Sequence, residues 1–198
     1  MNHYFTDNRH LAQNRKEITF RFSCFTCHFL TDNGVFCKDH VDFGTRTLLD
    51  AVHASGLLGE EVLDLGCGYG VIGITLKKQY PDSAFTLAEV NPRALELAQE
   101  NAARNGVADR FKVLVGDLSD KASGQYNIIT ANIVAAAILS LAPHVPVLMA
   151  PGARFIASGI IDERKDEVLA GLKAAGLEPV EVKEKRGWVC IICEKKEA

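Results

Sequence analysis

Apolar and polar residues alternate at period two through Glu17-Ile18-Thr19-Phe20-Arg21-Phe22, and Cys27-His28-Phe29-Leu30 follows after four further residues. That alternation, with a short connection, predicts a β-hairpin. Asp32-Asn33-Gly34 is a turn signal, Val35 to Phe43 reads as loop, and Thr45 to Ala54 predicts a helix with Leu48, Leu49 and Val52 on one face. From Glu61 onward the period switches back and forth. Strands are expected at 61–65, 84–89, 111–115, 126–131 and 153–158, and helices at 70–79, 92–105, 133–142 and 162–175. The helix at 92 has Asn91 as N-cap, Pro92 at its first position and Gly106 just past its end. Glu178–Lys183 and Trp188–Cys193, joined through Lys185-Arg186-Gly187, predict an antiparallel hairpin. Together these describe an α/β protein: a doubly wound, seven-stranded, mostly parallel sheet with an antiparallel last strand at its edge, plus an N-terminal β-hairpin.

Composition narrows the class without choosing a function. The chain has 198 residues, is 47% hydrophobic and 24% charged, and carries a net charge of -3. These values suit one domain with a real core and exclude a globally basic nucleic-acid binder. Residues 1–50 hold six Lys/Arg against six Asp/Glu, so that segment is neutral, and four of the six histidines lie in it. The expected division is an N-terminal arm and hairpin over 1–43 and the main domain over 44–198. No apolar run is long enough for a membrane span and the polar start is not a signal peptide, so a cytoplasmic protein with mostly reduced cysteines is expected.

The candidate chemistry centres on Asp64-Leu65-Gly66-Cys67-Gly68-Tyr69-Gly70, where an apolar strand ends in an acid and glycines follow at alternate positions. Gly68 to Gly73 matches the G-x-G-x-x-G dinucleotide fingerprint, and Glu89 lies where a ribose-binding acid belongs. An NAD-type oxidoreductase is therefore one reading. The register favours another, because the turn begins two residues earlier, at Gly66, behind the carboxylate of Asp64. A carboxylate at the strand end suits a ligand bearing an ammonium group rather than a pyrophosphate.

Residues 61–135 resemble class I S-adenosylmethionine-dependent methyltransferases, whose domain is Rossmann-like. The resemblance implies that Asp64, Gly66, Cys67, Gly68 and Gly70 wrap the methionine portion of S-adenosylmethionine. In Ala88-Glu89-Val90-Asn91-Pro92 it implies that Glu89 takes the ribose hydroxyls, and in Gly116-Asp117-Leu118 that Asp117 accepts from the adenine amino group. Three acids at successive strand ends fit the rule that ligands sit at the carboxyl edge of an open sheet.

Asn132 ends the fourth strand of the sheet, where its carboxamide oxygen can accept from an attacking amine, and it is the candidate catalytic residue. The competing reading is a helix cap. Two families match different parts. Residues 3–118, through Gly34-Val35-Phe36-Cys37 and Val41 to Leu49, are similar to small-domain methyltransferases of the ribosomal RNA guanine-N2 type. Residues 127–194, through Ala131-Asn132-Ile133-Val134-Ala135, Phe155 to Ile161 and Gly187-Trp188-Val189, resemble enzymes that methylate amines of a large-subunit ribosomal protein. In the latter, Phe43-Gly44-Thr45 resembles a loop gating the cofactor, which adds Thr45 to the candidate cofactor residues. The RNA-type family carries Asn-Pro-Pro-aromatic, and here Ile133, Val134 and Ala135 follow the asparagine. The expected partner is a ribosomal protein or rRNA. A cofactor-binding interaction module without catalysis is the non-enzymatic alternative.

Other constellations carry less. Cys24-x2-Cys27 with Cys37-x2-His40 has zinc-knuckle spacing, though Cys27 falls inside a strand pattern. Cys190 and Cys193 are three apart on a strand and should face opposite sides of the sheet. Arg9, Arg15, Lys16 and Arg21 with Tyr4 and Phe5 are compatible either with a phosphate-contacting arm or with a solvated one. Trp188 reads as edge packing.

Overall fold

The computed structural model describes residues 12, 14–35, 37–56, 61–116 and 122–196. The N-terminal hairpin pairs β1 (Lys16–Phe22) with β2 (Phe25–Thr31) in antiparallel register, from Phe22 opposite Phe25 out to Lys16 opposite Thr31. Its turn is only Ser23-Cys24, tighter than the four-residue connection expected, because Phe25 and Thr26 already pair with Phe22 and Arg21.

The main sheet has seven strands: β3 (Glu61–Leu65), β4 (Ala84–Glu89), β5 (Phe111–Val115), β6 (Tyr126–Asn132), β7 (Met149–Ile161), β8 (Leu177–Lys185) and β9 (Trp188–Lys195). Their spatial order is β5-β4-β3-β6-β7-β9-β8. The pairs from β5 to β7 are parallel, and β9 runs antiparallel to both its neighbours. The reversed strand is therefore not at the edge, as expected, but inserted between β7 and β8. Its sequence explains the placement, since Val189 to Cys193 is buried throughout and needs cover on both faces, whereas β8 is mostly exposed. The β8–β9 turn places Arg186 and Gly187 at positive φ, 54° and 78°, the pair of left-handed residues that two-residue hairpins favour.

Helices cover both faces. The core of one face joins Leu48, Leu49 and Val52 of α1 (Phe43–Ser55), Ile74 and Leu76 of α2 (Val71–Gln79) and Leu95 and Leu97 of α3 (Pro92–Arg104) to Val62, Phe85, Ile128 and Ile192 of the sheet. The opposite core packs Leu63, Ile129, Phe155 and Ile191 against Ile138 and Leu141 of α4 (Ala135–Leu141), Val145 and Leu148 of α5 (Val145–Leu148) and Val168 and Leu172 of α6 (Lys165–Ala174). Cys190 belongs to the first core and Cys193 to the second, as the period of two requires.

The hairpin docks on α3 through side-chain amides. Asn101 accepts from the Leu30 amide at 2.7 Å and donates to its carbonyl at 3.0 Å. Asn105, one turn on, does the same for His28 at 3.0 and 2.7 Å. Residues two apart on a strand edge are thus met by residues four apart on a helix, and the edge of β2 away from β1 is satisfied without another strand. Phe20, Cys27 and Phe29 enter the core of the first face. A buried ion pair completes the attachment, with Arg93 Nη2 2.6 Å from Asp32 Oδ2 and side chains only 7% and 2% exposed. Burial pushes the Asp32 carboxyl up, but bonds from Arg93 and the amides of Asn14 and Asn33 outweigh it and hold it below the usual range.

Candidate functional site

Strand order reverses direction between β3 and β6, so a crevice opens at their carboxyl ends. The glycine turn after β3 borders it. Gly66, Gly68 and Gly70 all have positive φ, 70°, 56° and 90°, which explains their alternation better than any ligand contact does. The turn is tied to β4, with the Gly66 and Cys67 amides both donating to the Ala88 carbonyl at 2.9 and 3.1 Å. Gly70 also abuts α3, since a Cβ there would sit 3.2 Å from Ala98 Cβ, whereas one on Gly68 would meet nothing within 4 Å. Gly68 thus leaves open space where a side chain would stand.

Asp64 lies beneath this turn. It is 1% exposed, and Thr130 Oγ1 donates to its Oδ1 at 2.8 Å while the Gly73 amide donates to its Oδ2 at 3.3 Å. The carboxyl is pushed up to about 7, chiefly by burial; the bonds from Thr130 and Gly73 pull it down and the neighbouring Glu89 pushes it up. Its geometry is that of a brace between β3, β6 and α2. Glu89, ending β4, accepts from the Gly68 amide at 2.9 Å on one oxygen and from the Asn91 amide at 2.9 Å on the other. Burial raises its pKa, against bonds from Asn91, Gly68 and Val90. Each oxygen keeps acceptor capacity for a donor in the crevice. The Cys67 thiol is buried and raised well above its ordinary value, first by desolvation and then by Asp64 and Glu89, so it is no thiolate nucleophile.

Across β3 stands Asn132. It ends β6 rather than opening a helix, because Val134 is extended and the Ile133 amide donates to the Ser158 carbonyl at 3.2 Å. Val134, two residues on, is the N-cap of α4, so Asn132 is not a helix cap. Its Nδ2 donates to Thr45 Oγ1 at 2.8 Å and lies 3.5 Å from both oxygens of Asp42. Asp42 caps α1, accepting from the Thr45 amide at 3.0 Å, and also takes the Thr45 hydroxyl proton. The side chain of Thr45 is therefore turned toward Asp42 and Asn132. Asn132 Oδ1 has no hydrogen-bond partner among the described residues, and Gly44 and Gly159 flank it closely enough that a Cβ on either would lie 3.0 Å away.

The structure thus brings together Thr45, Asp64, Gly66, Cys67, Gly68, Gly70, Glu89 and Asn132 along one sheet edge. Asp117 lies outside the described residues; the last described residue before it, Gly116, donates its amide to the Glu89 carbonyl at 3.1 Å. Asp42, Thr130, Ser158 and Gly159 also stand at this site and were given no role from the sequence. An acid directly before the helix at 43, with a hydroxyl three residues on, was the signal available for Asp42. Cys24, Cys27, Cys37 and His40 do not converge: Cys24 is exposed in the hairpin turn, whereas Cys27 is buried against Thr75 Oγ1 at 3.9 Å. Among the described residues no group of three His, Cys, Asp or Glu is placed to hold a metal ion. No helix among them is long and apolar enough to cross a membrane.

Comparison with known proteins identifies the family. The ribosomal protein L11 methyltransferase of Symbiobacterium thermophilum is 38% identical over 137 residues, covering 69% of this chain and 44% of that relative. The chain thus spans less than half of that relative's length. Among solved structures, ribosomal protein L11 methylase from Lactobacillus delbrueckii subsp. bulgaricus superposes with a TM-score of 0.74 at 21% identity, over 80% of this chain and 81% of that one. The T. thermophilus 16S rRNA N2 G1207 methyltransferase, solved with AdoMet and guanosine, gives a TM-score of 0.75 at 18% identity, over 92% of this chain and 51% of that one. At these identities the superpositions show the Rossmann-like fold alone. The family profile described as Ribosomal protein L11 methyltransferase (PrmA) matches residues 43–196, from the first residue of α1 to one residue past β9, and the chain belongs to that family.

Proposed function

We propose that the chain is an S-adenosylmethionine-dependent N-methyltransferase acting in the cytoplasm on a translation component, either a ribosomal protein amine or an rRNA base amino group. The division we propose is a methyltransferase domain over 44–198 and an N-terminal appendage over 1–43, whose hairpin β1–β2 meets α3. The carrying observation is the pairing of two acceptors across the glycine turn: the carboxylate of Glu89 at the end of β4 and the free carboxamide oxygen of Asn132 at the end of β6.

The donor set fits the cofactor. Glu89 offers two acceptor oxygens to a ribose diol, and Gly68 leaves room beside it. Asp64 braces the turn at Gly66 to Gly70 from below and places a titratable carboxyl under a ligand ammonium. Asp117 is assigned to the adenine amino group. S-adenosylmethionine supplies a methyl group on a sulfonium; the N–C bond forms as the S–C bond breaks, and the positive charge passes to nitrogen. Asn132 Oδ1 accepts an N–H of the incoming amine and aims its lone pair, and one N–H proton leaves to water after transfer. The protein's contribution is position and exclusion of water rather than a strong base.

Calorimetric titration with S-adenosylhomocysteine and with NAD tests the cofactor assignment, and preference for NAD overturns it. Incubation with tritiated S-adenosylmethionine and purified ribosomal subunits, with RNA and protein counted separately, tests the acceptor. Label is expected in one fraction, and label in neither sinks the translation-component reading.

A further inference from the structure

We infer that Asp42 is a positioning residue that fixes the direction in which the Asn132 carboxamide faces, acting through the hydroxyl of Thr45. The inference rests on the methyltransferase reading for its consequence, but its geometry stands on three segments of the fold.

An amide side chain has two ends of similar shape and opposite hydrogen-bonding sense. Asn132 is useful to an amine only if its oxygen, not its NH2, faces the crevice. Nothing in the strand backbone chooses between the two. The choice is made at the other end of a short chain of bonds. Asp42 sits at the N-cap of α1 and, as a carboxylate, only accepts. One of its oxygens takes the Thr45 amide at 3.0 Å and the other takes the Thr45 hydroxyl proton. Having donated that proton, Thr45 Oγ1 can only accept from Asn132, and the NH2 group stands 2.8 Å from it. Both Asp42 oxygens, 3.5 Å from Nδ2, add attraction for the same end. The polarity runs one way, from Asn132 to Thr45 to Asp42, and the carboxamide oxygen is left as the end without a donor among the described residues, between Gly44 and Gly159.

The surroundings keep that oxygen clear. A side chain on Gly44 would meet Asn132 Oδ1 and Asp42 Oδ1 at 3.0 Å, and Ser158 Oγ at 3.2 Å. Gly159 has a φ of 81°, and a Cβ there would meet the Ile133 carbonyl at 2.6 Å as well as Asn132 Oδ1 at 3.0 Å. Ser158 holds α1 against β7 by donating to the Gly44 carbonyl at 3.2 Å. A helix cap alone would need only the bond from the Thr45 amide. The second oxygen of Asp42 and the side chain of Thr45 serve Asn132.

Asp42→Asn separates the two roles. It keeps an acceptor for the Thr45 amide, so α1 stays capped, but its NH2 can donate to Thr45 and the chain loses its fixed sense. In 15N-labelled full-length protein, the Asn132 side-chain amide, identified by its loss in Asn132→Asp, is expected to be rigid by heteronuclear NOE. It should become mobile in Asp42→Asn and in Thr45→Val, and Thr45→Ser should restore much of the order lost in Thr45→Val. In Asp42→Asn, kcat for methyl transfer to ribosomal subunits should fall by roughly 10-fold to 100-fold, with KM for S-adenosylmethionine and the melting temperature unchanged. An Asn132 amide that stays rigid in both Asp42→Asn and Thr45→Val overturns the inference, and so does a loosened amide with unchanged kcat. If the wild-type protein binds no S-adenosylhomocysteine or transfers no methyl group, the functional reading fails, while the NMR comparison still decides the role of Asp42.

Discussion

Thr130 and Asp64 are register partners on β6 and β3, and the threonine hydroxyl donates to the aspartate at 2.8 Å. This bond joins the two strands between which the crevice opens, and it holds a buried carboxyl directly under the glycine turn. Thr130→Val keeps the shape and removes the donor. The ionised carboxylate then retains only the longer bond from Gly73, so the cost should be about 1.5–3 kcal/mol at pH 8. At pH 5, where Asp64 is largely protonated, the cost should be smaller. Urea unfolding at both pH values checks this; equal losses would show that Asp64 does not ionise across that range.

Asp64 also gives the free protein a pH dependence whose sign is fixed. Its folded pKa of about 7 lies above the ordinary value of 3.8, so the native state holds a proton that the unfolded chain releases between those limits. Stability is therefore greatest below the unfolded pKa and declines as pH rises toward 7, by up to about 1.4 kcal/mol per pH unit. Asp64→Asn should flatten that decline. Unfolding midpoints measured from pH 4 to pH 8 in both proteins decide the matter.

Glu89→Gln tests the ribose assignment. The glutamine offers one acceptor where two backbone amides, of Gly68 and Asn91, already claim two oxygens. S-adenosylhomocysteine affinity should fall by about 10-fold to 100-fold, the loss of a charge-assisted pair of bonds. In the wild-type protein affinity should also rise with pH, because the raised pKa of Glu89 must be overcome to present the ionised acceptor. Calorimetry at a series of pH values reads both effects.

The buried pair of Arg93 and Asp32 should be far more costly to break than the surface pairs beside it. Arg15–Glu100 and Arg104–Glu17 also link the hairpin region to α3, but their side chains are roughly two-fifths exposed and contribute little. Arg93→Ala leaves Asp32 charged among buried neighbours and should destabilise by about 3–5 kcal/mol. Hydrogen exchange should then accelerate first at His28 and Leu30, whose amides depend on Asn105 and Asn101.

Most of the fold was legible because its signals are local. The strand at 61–65, the capped helix at 92 and the glycine turn announce themselves in consecutive residues. The position of β9 was not, because which edge a strand joins depends on contacts far away in sequence. The burial of Val189 to Cys193 in the structure shows why it lies inside the sheet. At the site, Glu89 and Asn132 were readable as strand-end polar residues. The bracing by Asp64 was not readable, since burial and two internal bonds cannot be seen in a one-dimensional pattern. Asp42 escaped notice for a similar reason, because its partner lies 90 residues away.

The insertion of β9 dictates an order of assembly. Among the described residues β8 pairs with β9 alone, and the free edge of β7 is closed by the same strand. A chain emerging from its amino end can form β3 to β7 with their helices, but β8 has no edge to join until residues 188–195 arrive. During that interval the partly made sheet shows an open, apolar margin to anything that offers a strand. The final eight-residue strand then acts as the closing stitch, sealing two edges in one step, and slow synthesis or a nick near Gly187 would prolong the time for which the protein is sticky.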